Sequence, residues 1–346
     1  MPLYVYTMEQ TEEWDKVVRS FSAYDVYYLS GYVKAFQIHG DGQPMLFYYT
    51  DDNIRGINVV MKRDIADDPF FSDKISRDTL FDFITPYGYG GWLIEGEGRK
   101  DSLFTAYEKW CRKHNVVSEF VRYHPVLNNS EDGKFFYDVA ALGNTIFLDL
   151  SSPEMIWSNL TSKNRNMVRK AQKSGVRIFH GQFPAIYSTF REIYNLTMDD
   201  DHARDYYYFS EDFYRSICFD LLEEAEVFWA DLDGKVIAAS IMLSANGFMN
   251  YHLSGSLREY QHLAPTNLLL YKAAMWGCSN GCKSLHLGGG VGSKEDSLFK
   301  FKSSFNRKER LTFAIGKKIF LNEAYHQLAA MKNACEAGGF FPIYRA

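Results

Sequence analysis

Phe47-Tyr48-Tyr49-Thr50-Asp51-Asp52-Asn53-Ile54-Arg55-Gly56-Ile57-Asn58-Val59-Val60-Met61 reads as strand, polar turn, strand. Phe228-Trp229-Ala230-Asp231-Leu232-Asp233-Gly234-Lys235-Val236-Ile237-Ala238-Ala239-Ser240-Ile241-Met242 reads the same way, with an Asp-Gly pair at its centre. Apolar runs flanking Asp-Gly are a strong hairpin signal. Each hairpin is followed by a further strand, a helix with a Trp near its end, and an apolar strand. The first helix ends Tyr107, Trp110, Asn115 before Val116 to Val121; the second ends Tyr271, Trp276, Gly281 before Lys283 to Leu287. The chain therefore reads as one unit used twice. Two copies packed side by side would leave a cleft, a favoured place for ligands.

A length of 346 residues suits two domains. Apolar residues make up 46% and aromatics 16%, enough to bury cores. No run approaches eighteen apolar residues, so no transmembrane segment is expected. The start Met1-Pro2-Leu3-Tyr4-Val5-Tyr6 lacks the basic and apolar regions of a secretory signal. Five scattered cysteines, at 111, 218, 278, 282 and 335, fit reduced thiols and a cytoplasmic setting. Cys278 and Cys282 lie four apart, yet nothing completes a zinc set, and they read as packing residues.

The net charge of −5 argues against a general nucleic-acid coat, but one stretch is basic. From Pro153 to Arg177, Lys163, Arg165, Arg169, Lys170, Lys173 and Arg177 stand against Glu154 alone. Ser152 can cap this helix, Pro153 suits its first position, and Gly175 suits a left-handed stop. Ile156, Leu160, Met167 and Ala171 form its apolar stripe, with Arg165, Arg169 and Lys173 on another face. That face is either solvated or turned to an anion. An apolar strand over Thr145–Leu150 leads into it. A helix is expected over Ala185–Thr197, ending in Asp199-Asp200-Asp201-His202, and another after the Ser210 cap. Asn246-Gly247 leads to a further strand, Phe248–Ser254. Helices, an antiparallel meander, a helix and a strand make an α+β pattern.

Three stretches together resemble the FemABX family, tandem GNAT-fold transferases that build peptidoglycan cross-bridges. They are the basic run Leu160 to Val176, with its Arg-Lys-Ala and Gly-Val; Tyr251-His252-Leu253-Ser254-Gly255-Ser256 with Ala264-Pro265-Thr266-Asn267-Leu268-Leu269-Leu270; and His286-Leu287-Gly288-Gly289-Gly290 with Leu298-Phe299-Lys300-Phe301-Lys302-Ser303-Ser304-Phe305. The resemblance covers most of residues 150 to 310, and the stretch from 178 to 250 leaves no room for a coiled-coil arm, as in the short, FemX-type members. It implies two tandem GNAT-like domains with an interdomain cleft: residues 1–147, with a C-terminal helix over 314–346 packing back, and residues 148–313. It also implies transfer of an aminoacyl group from tRNA to an amine of a UDP-linked or lipid-linked muropeptide, without a cofactor.

The resemblance assigns Lys302 to the tetrahedral oxyanion, where a fixed cation lowers the barrier. The same pattern would also suit an exposed lysine, with Lys300 two residues away. Arg204 and Tyr208 match residues that grip the diphosphate and sugar-peptide, for which the guanidinium fork is suited; pairing of Arg204 with Asp199 to Asp201 or Asp205 is the competing expectation. Tyr251 would line the cleft, Phe301 would pack or meet the tRNA end, and Lys34 would contact phosphate. Lys163, Arg165, Arg169 and Lys173 would face the tRNA. Thr85-Pro86-Tyr87-Gly88-Tyr89-Gly90-Gly91 stands where the family has Gly-Pro, either as channel wall or as a tight turn. Asp82, His202 and His252 are available to accept a proton.

Two other functions compete. A CoA-dependent N-acyltransferase needs a glycine-rich loop whose N–H groups hold the pyrophosphate. The equivalent stretch, Tyr260-Gln261-His262-Leu263-Ala264-Pro265, has no glycine, and Pro265 removes a donor. Gly288-Gly289-Gly290-Val291-Gly292 follows a strand but opens no helix with a later acid, so it is a weak dinucleotide loop. A non-catalytic binding protein on the same fold is the other alternative.

Overall fold

The computed structural model describes residues 3–333 and 339–346; Met1, Pro2 and Cys335 lie outside them. The chain forms two compact units, residues 1–142 with 313–346, and residues 143–312.

The first unit opens with β1 (Leu3–Tyr6), α1 (Thr11–Arg19) and α2 (Ser30–His39). The quoted hairpin is β2 (Gln43–Thr50) and β3 (Ile54–Asp64), followed by β4 (Phe81–Ile84), β5 (Leu93–Gly96), the Trp110 helix α3 (Asp101–Lys113) and β6 (Val116–Arg122). A short α4 (Ser130–Gly133) precedes β7 (Asp138–Asp149), within which the boundary between the units falls. The second unit continues with α5 (Pro153–Asn159), α6 (Ser162–Lys173), β8 (Arg177–Gly181), α7 (Pro184–Asp200) and α8 (Glu211–Asp220). Then come β9 (Ala225–Leu232), β10 (Lys235–Ala245), β11 (Phe248–Ser256), α9 (Pro265–Ser279), β12 (Ser284–Gly288) and α10 (Ser297–Ser303). β13 (Leu311–Ile319) and α11 (Asn322–Met331) complete the first unit.

The repeat runs deeper than the two hairpins. Apart from β5, which pairs with β3 and has no counterpart, β1-α1-α2-β2-β3-β4-α3-β6 and β8-α7-α8-β9-β10-β11-α9-β12 have one order and one set of pairings. β1–β2, β2–β3 and β3–β4 are antiparallel and β4–β6 parallel. β8–β9, β9–β10 and β10–β11 are antiparallel and β11–β12 parallel. An antiparallel strand follows in each copy: β13 on β6, and β7 on β12. Asp233 and Gly234 both have positive φ, as the tight hairpin turn requires.

Two expectations need correction. The basic stretch is two helices, because Thr161 caps α6 by accepting from Asn164 N, and Leu160 is extended. Val168 rather than Met167 fills the buried stripe. The segment expected as a C-terminal helix over 314–346 begins as strand β13. Its helix spans only Asn322–Met331, where Tyr325, Leu328 and Ala329 pack with Ile65, Phe71, Val117 and Tyr344 on the first unit.

Charged groups buried in that unit are fully engaged. Asp82 accepts from Arg63 Nε at 2.7 Å and Arg345 Nε at 2.9 Å. Glu119 accepts from Asn58 Nδ2, Tyr107 Oη and Tyr137 Oη at 2.8–3.0 Å. Burial nevertheless pushes its carboxyl up to about 7, with those hydrogen bonds opposing. A carboxyl whose folded pKa exceeds its unfolded value holds its proton better when folded, so stability falls as pH rises from about 4.5 to about 7. Glu119→Gln keeps the shape, and the tyrosine hydroxyls can turn to accept. Chemical denaturation should show the parent losing on the order of 3 kcal/mol between pH 4 and 8, and the variant losing most of that dependence.

Candidate functional site

The chemistry of the second unit gathers where β11 and β12 part. Their parallel ladder joins Phe248–Asn250 to Ser284–His286 and goes no further. β11 is irregular at the same level: Met242 pairs with Tyr251 and Ile241 with Leu253, so His252 is the extra residue of a bulge. Tyr251 is half-buried, and burial raises its phenol against hydrogen bonds with Ser254 and Ser240.

Lys302 enters from α10. Asp296 caps that helix, accepting from Phe299 N at 2.8 Å and Val291 N at 3.0 Å. Nζ of Lys302 donates to Gly289 O at 2.8 Å and stands 6.0 Å from the Tyr251 ring centre. Lys302 is only 9% exposed. Of three N–H donors, one meets Gly289 O, and no other partner is present among the described residues. Burial brings its pKa down to about 8, partly offset by Asp296, so it stays about ten to one cationic at pH 7. This is a poised cation and not the exposed lysine of the competing expectation.

The glycine-rich loop after β12 is shaped for this contact. A Cβ on Gly290 would collide with Lys294 O and the Asp296 carboxylate, and one on Gly289 would come within 2.9 Å of Asn144 O. The loop presents the Gly289 carbonyl to Lys302.

A cavity of about 290 Å³ lies at the start of α9, lined by Ser256, Gln261, Pro265, Thr266, Asn267 and Phe301. Pro265 occupies the first helical position behind Ala264 in the left-handed region, φ 57°. Asn267 Nδ2 donates to Asn164 Oδ1 at 2.9 Å, tying α9 to α6. Phe301 packs on Phe305, ring centres 5.4 Å apart. A second cavity, lined by Asp199, Asp200, Leu257 and Arg258, shares Ser256, whose buried Oγ has no partner. Sequence reasoning missed Ser256, because its role depends on which strand end abuts which helix.

Tyr251, Phe301 and Lys302 are thus brought together. Tyr208 donates to Asp199 Oδ1 at 2.7 Å, at the edge of the second cavity. Arg204 is exposed in the turn after α7 and makes no ion pair among the described residues, against the expected pairing with the nearby aspartates. In the basic stretch, Lys163 and Lys173 are exposed, and Arg169 lies 5.1 Å over the Trp157 ring. Arg165 turns inward, donating to Leu160 O at 2.6 Å across the break between α5 and α6. Cys278 and Cys282 pack against the apolar core, and the described residues hold no cluster able to ligate a metal.

Lys34 is half-buried on α2 of the first unit. Its helix neighbours hold the 85–91 segment: Tyr32 Oη donates to Tyr87 O at 2.6 Å, and Phe36 stacks on Tyr87. Arg122 donates to Thr85, Pro86 and Gly88 carbonyls. This segment is a braced turn. Of the proton acceptors considered, Asp82 is engaged by two guanidinium groups, and His202 is exposed in a turn. Burial pushes His252 down to about 3, leaving a neutral ring and a weak base.

The family profile described as "Acetyltransferase (GNAT) domain" matches residues 159–302. The chain is similar in structure to FemX, with TM-score 0.68 and 13% identity over 94% of this chain and 99% of that one. L-PGS from Bacillus licheniformis gives 0.55 and 13%, covering 93% and 96%. A conserved protein of unknown function from Bacteroides thetaiotaomicron gives 0.58 and 9%, covering 92% and 99%. No curated protein sequence matches. The chain has a FemX-like fold of two tandem GNAT-like domains and carries an acyltransferase domain of the GNAT type. Among the described residues, no helix is long and apolar enough to cross a membrane.

A buried lysine with one partner costs stability. The unfolded chain protonates it near 10.5 and the folded chain near 8, so the cost is fully present at pH 7 and fades as pH rises between those values. Lys302→Met should raise the midpoint of thermal unfolding of the second unit at pH 7 by roughly 2–4 °C, the shift that about 1 kcal/mol gives for a domain of that size. A purely structural lysine would lower it.

Proposed function

We propose that the protein transfers an aminoacyl group from charged tRNA to an amine of a peptidoglycan precursor, with Lys302 as the oxyanion-stabilising residue. The observation that carries this reading is the buried ammonium of Lys302, held at the parted strands with N–H donors to spare. The incoming amine attacks the ester carbonyl carbon, and the carbonyl oxygen becomes an oxyanion facing Nζ. Collapse of the tetrahedral species expels the ribose oxygen, which leaves with the proton lost by the attacking nitrogen. No covalent enzyme intermediate is needed, because the nucleophile is the acceptor itself. The FemX-like fold over nearly the whole chain supports the reading.

Lys163, Arg169 and Lys173 supply the positive face for tRNA, with Arg165 bracing the helix that carries them. Arg204 and Tyr208 hold the UDP-linked or lipid-linked muropeptide, beside Tyr251 and Phe301, and Lys34 contributes a phosphate contact. The reaction belongs to the cytoplasm, where both substrates are made. The second reading, CoA-dependent acylation, is favoured by the acetyltransferase description of the matched domain and by the cavity at the start of α9. Pro265 at that helix start, and the absence of glycine before it, weigh against a pyrophosphate there.

Incubation with charged tRNA, acetyl-CoA and a muropeptide, read by mass spectrometry, should add the mass of an amino-acid residue; acetylation alone would overturn the proposal. Lys302→Ala should lower kcat by roughly 10²–10³ with KM little changed, the usual cost of losing one oxyanion donor. In the parent, activity should decline as pH rises through about 8, where Lys302 loses its charge. Lys302→Arg, if active, should lack that decline, because a guanidinium keeps its proton.

A further inference from the structure

The loop after α10 sets a second cationic element beside the basic stretch. Thr161 N donates to Ser304 O at 2.9 Å, and Arg307 N donates to Asn159 O at 3.4 Å. Those two backbone bonds lay residues 304–307 along the break between α5 and α6. Asn306, only 4% exposed, then shapes a turn. Its Nδ2 donates to Phe147 O at 2.9 Å, and its Oδ1 accepts from Lys308 N and Glu309 N. A buried amide that satisfies three backbone groups fixes the turn, and Arg307 and Lys308 are exposed on it.

The charge gathered there is one-sided. Residues 159–173 and 304–310 hold eight Lys and Arg and one acid, Glu309, in a chain whose net charge is −5. Two of the eight are engaged: Arg165 donates to Leu160 O, and Arg310 pairs with Glu295 at 2.7 Å. Lys163, Arg307 and Lys308 are exposed and make no ion pair among the described residues. Lys163 also stands in the first turn of α6, where the helix dipole disfavours a cation and no acid is present. Like charges held together by backbone bonds repel, and a polyanion laid across them removes that cost.

The surroundings select among polyanions. An anionic membrane surface calls for large apolar side chains exposed among the cations. Here they are covered: Leu160, Val168 and Phe305 are fully buried, and no large apolar side chain is exposed in either segment. Separate lysines and an arginine fork instead suit successive phosphates of a nucleic-acid backbone. The turn also begins directly after the helix of Lys302, whose carbonyl accepts from Phe305 N at 3.0 Å.

We infer that the 306–309 turn and the start of α6 form one phosphodiester-binding surface, on which Arg307 and Lys308 hold an RNA strand close to the 3′ end that carries the ester. The assignment rests on the tRNA-dependent reading of the site; the contact itself is measurable without transfer.

The test is fluorescence anisotropy of a labelled RNA hairpin with a single-stranded ACCA 3′ end, titrated with the full chain at several salt concentrations. The parent should bind with Kd at or below about 10 μM at low salt, and log K should fall with log salt. Arg307→Gln with Lys308→Gln should weaken binding tenfold or more and lower that slope by about 1–2. Lys109→Gln with Lys113→Gln removes the same charge from exposed positions on α3 and should change neither. Both double variants should melt within about 2 °C of the parent, as surface substitutions do. In the mass-spectrometric assay, the Arg307 and Lys308 double variant should raise KM for charged tRNA tenfold or more with kcat little changed, unlike Lys302→Ala. No RNA binding by the parent, equal losses in the two double variants, or losses confined to vesicles of equal phosphatidylglycerol and phosphatidylcholine would overturn the inference. Aminoacyl transfer with an unchanged KM would overturn it too and leave the aminoacyl reading standing. RNA binding that depends on Arg307 and Lys308, in a protein that only acetylates, would overturn that reading and leave the surface.

Discussion

Beyond Asn250 and His286 the parallel ladder of β11 and β12 ends, and backbone freed inside a protein must find partners elsewhere. That requirement organises the second unit. The carbonyl of Gly289 takes the ammonium of Lys302, which fixes α10 against the parted strands. The bulge at His252 and the cluster of Tyr251, Ser240 and Ser254 occupy the other side. A continuous ladder would leave no room for the lysine. The gap makes a buried cation possible.

Much of this was legible in the chain. The hairpins showed because Asp-Gly and its flanks are a local signal, and the Trp-bearing helices showed by their spacing. Lys302 was found through resemblance, since nothing in Phe-Lys-x-x-Phe alone says the lysine is buried. Two readings failed for identifiable reasons. Ser152 and Gly175 are true ends of the basic stretch, and the internal cap at Thr161 looks like ordinary helix interior until Arg165 is seen on the Leu160 carbonyl. β13 holds Thr312, Phe313 and Ile315, which favour a strand; its place on β6, nearly two hundred residues earlier, lies beyond any local pattern.

The packing of α7 and α8 was not legible at all. Tyr187 and Asn195 on α7 and Tyr214 on α8 read as ordinary core positions, and only packing reveals their polar atoms without partners. Comparison of the two copies is informative here. The two copies share a strand order, while the side chains of the two-helix layer, α1 and α2 against α7 and α8, are paired differently in each.

The first unit takes its closing strand, its covering helix and the second guanidinium on Asp82 from residues 313–346. During synthesis the edge of β6 therefore waits, uncovered, until β13 has emerged. The second unit is contiguous from 143 to 312 and takes no residue from that segment. The unit that emerges first is the one completed last, and a nascent chain halted before residue 313 would lack residues of the first unit and none of the second.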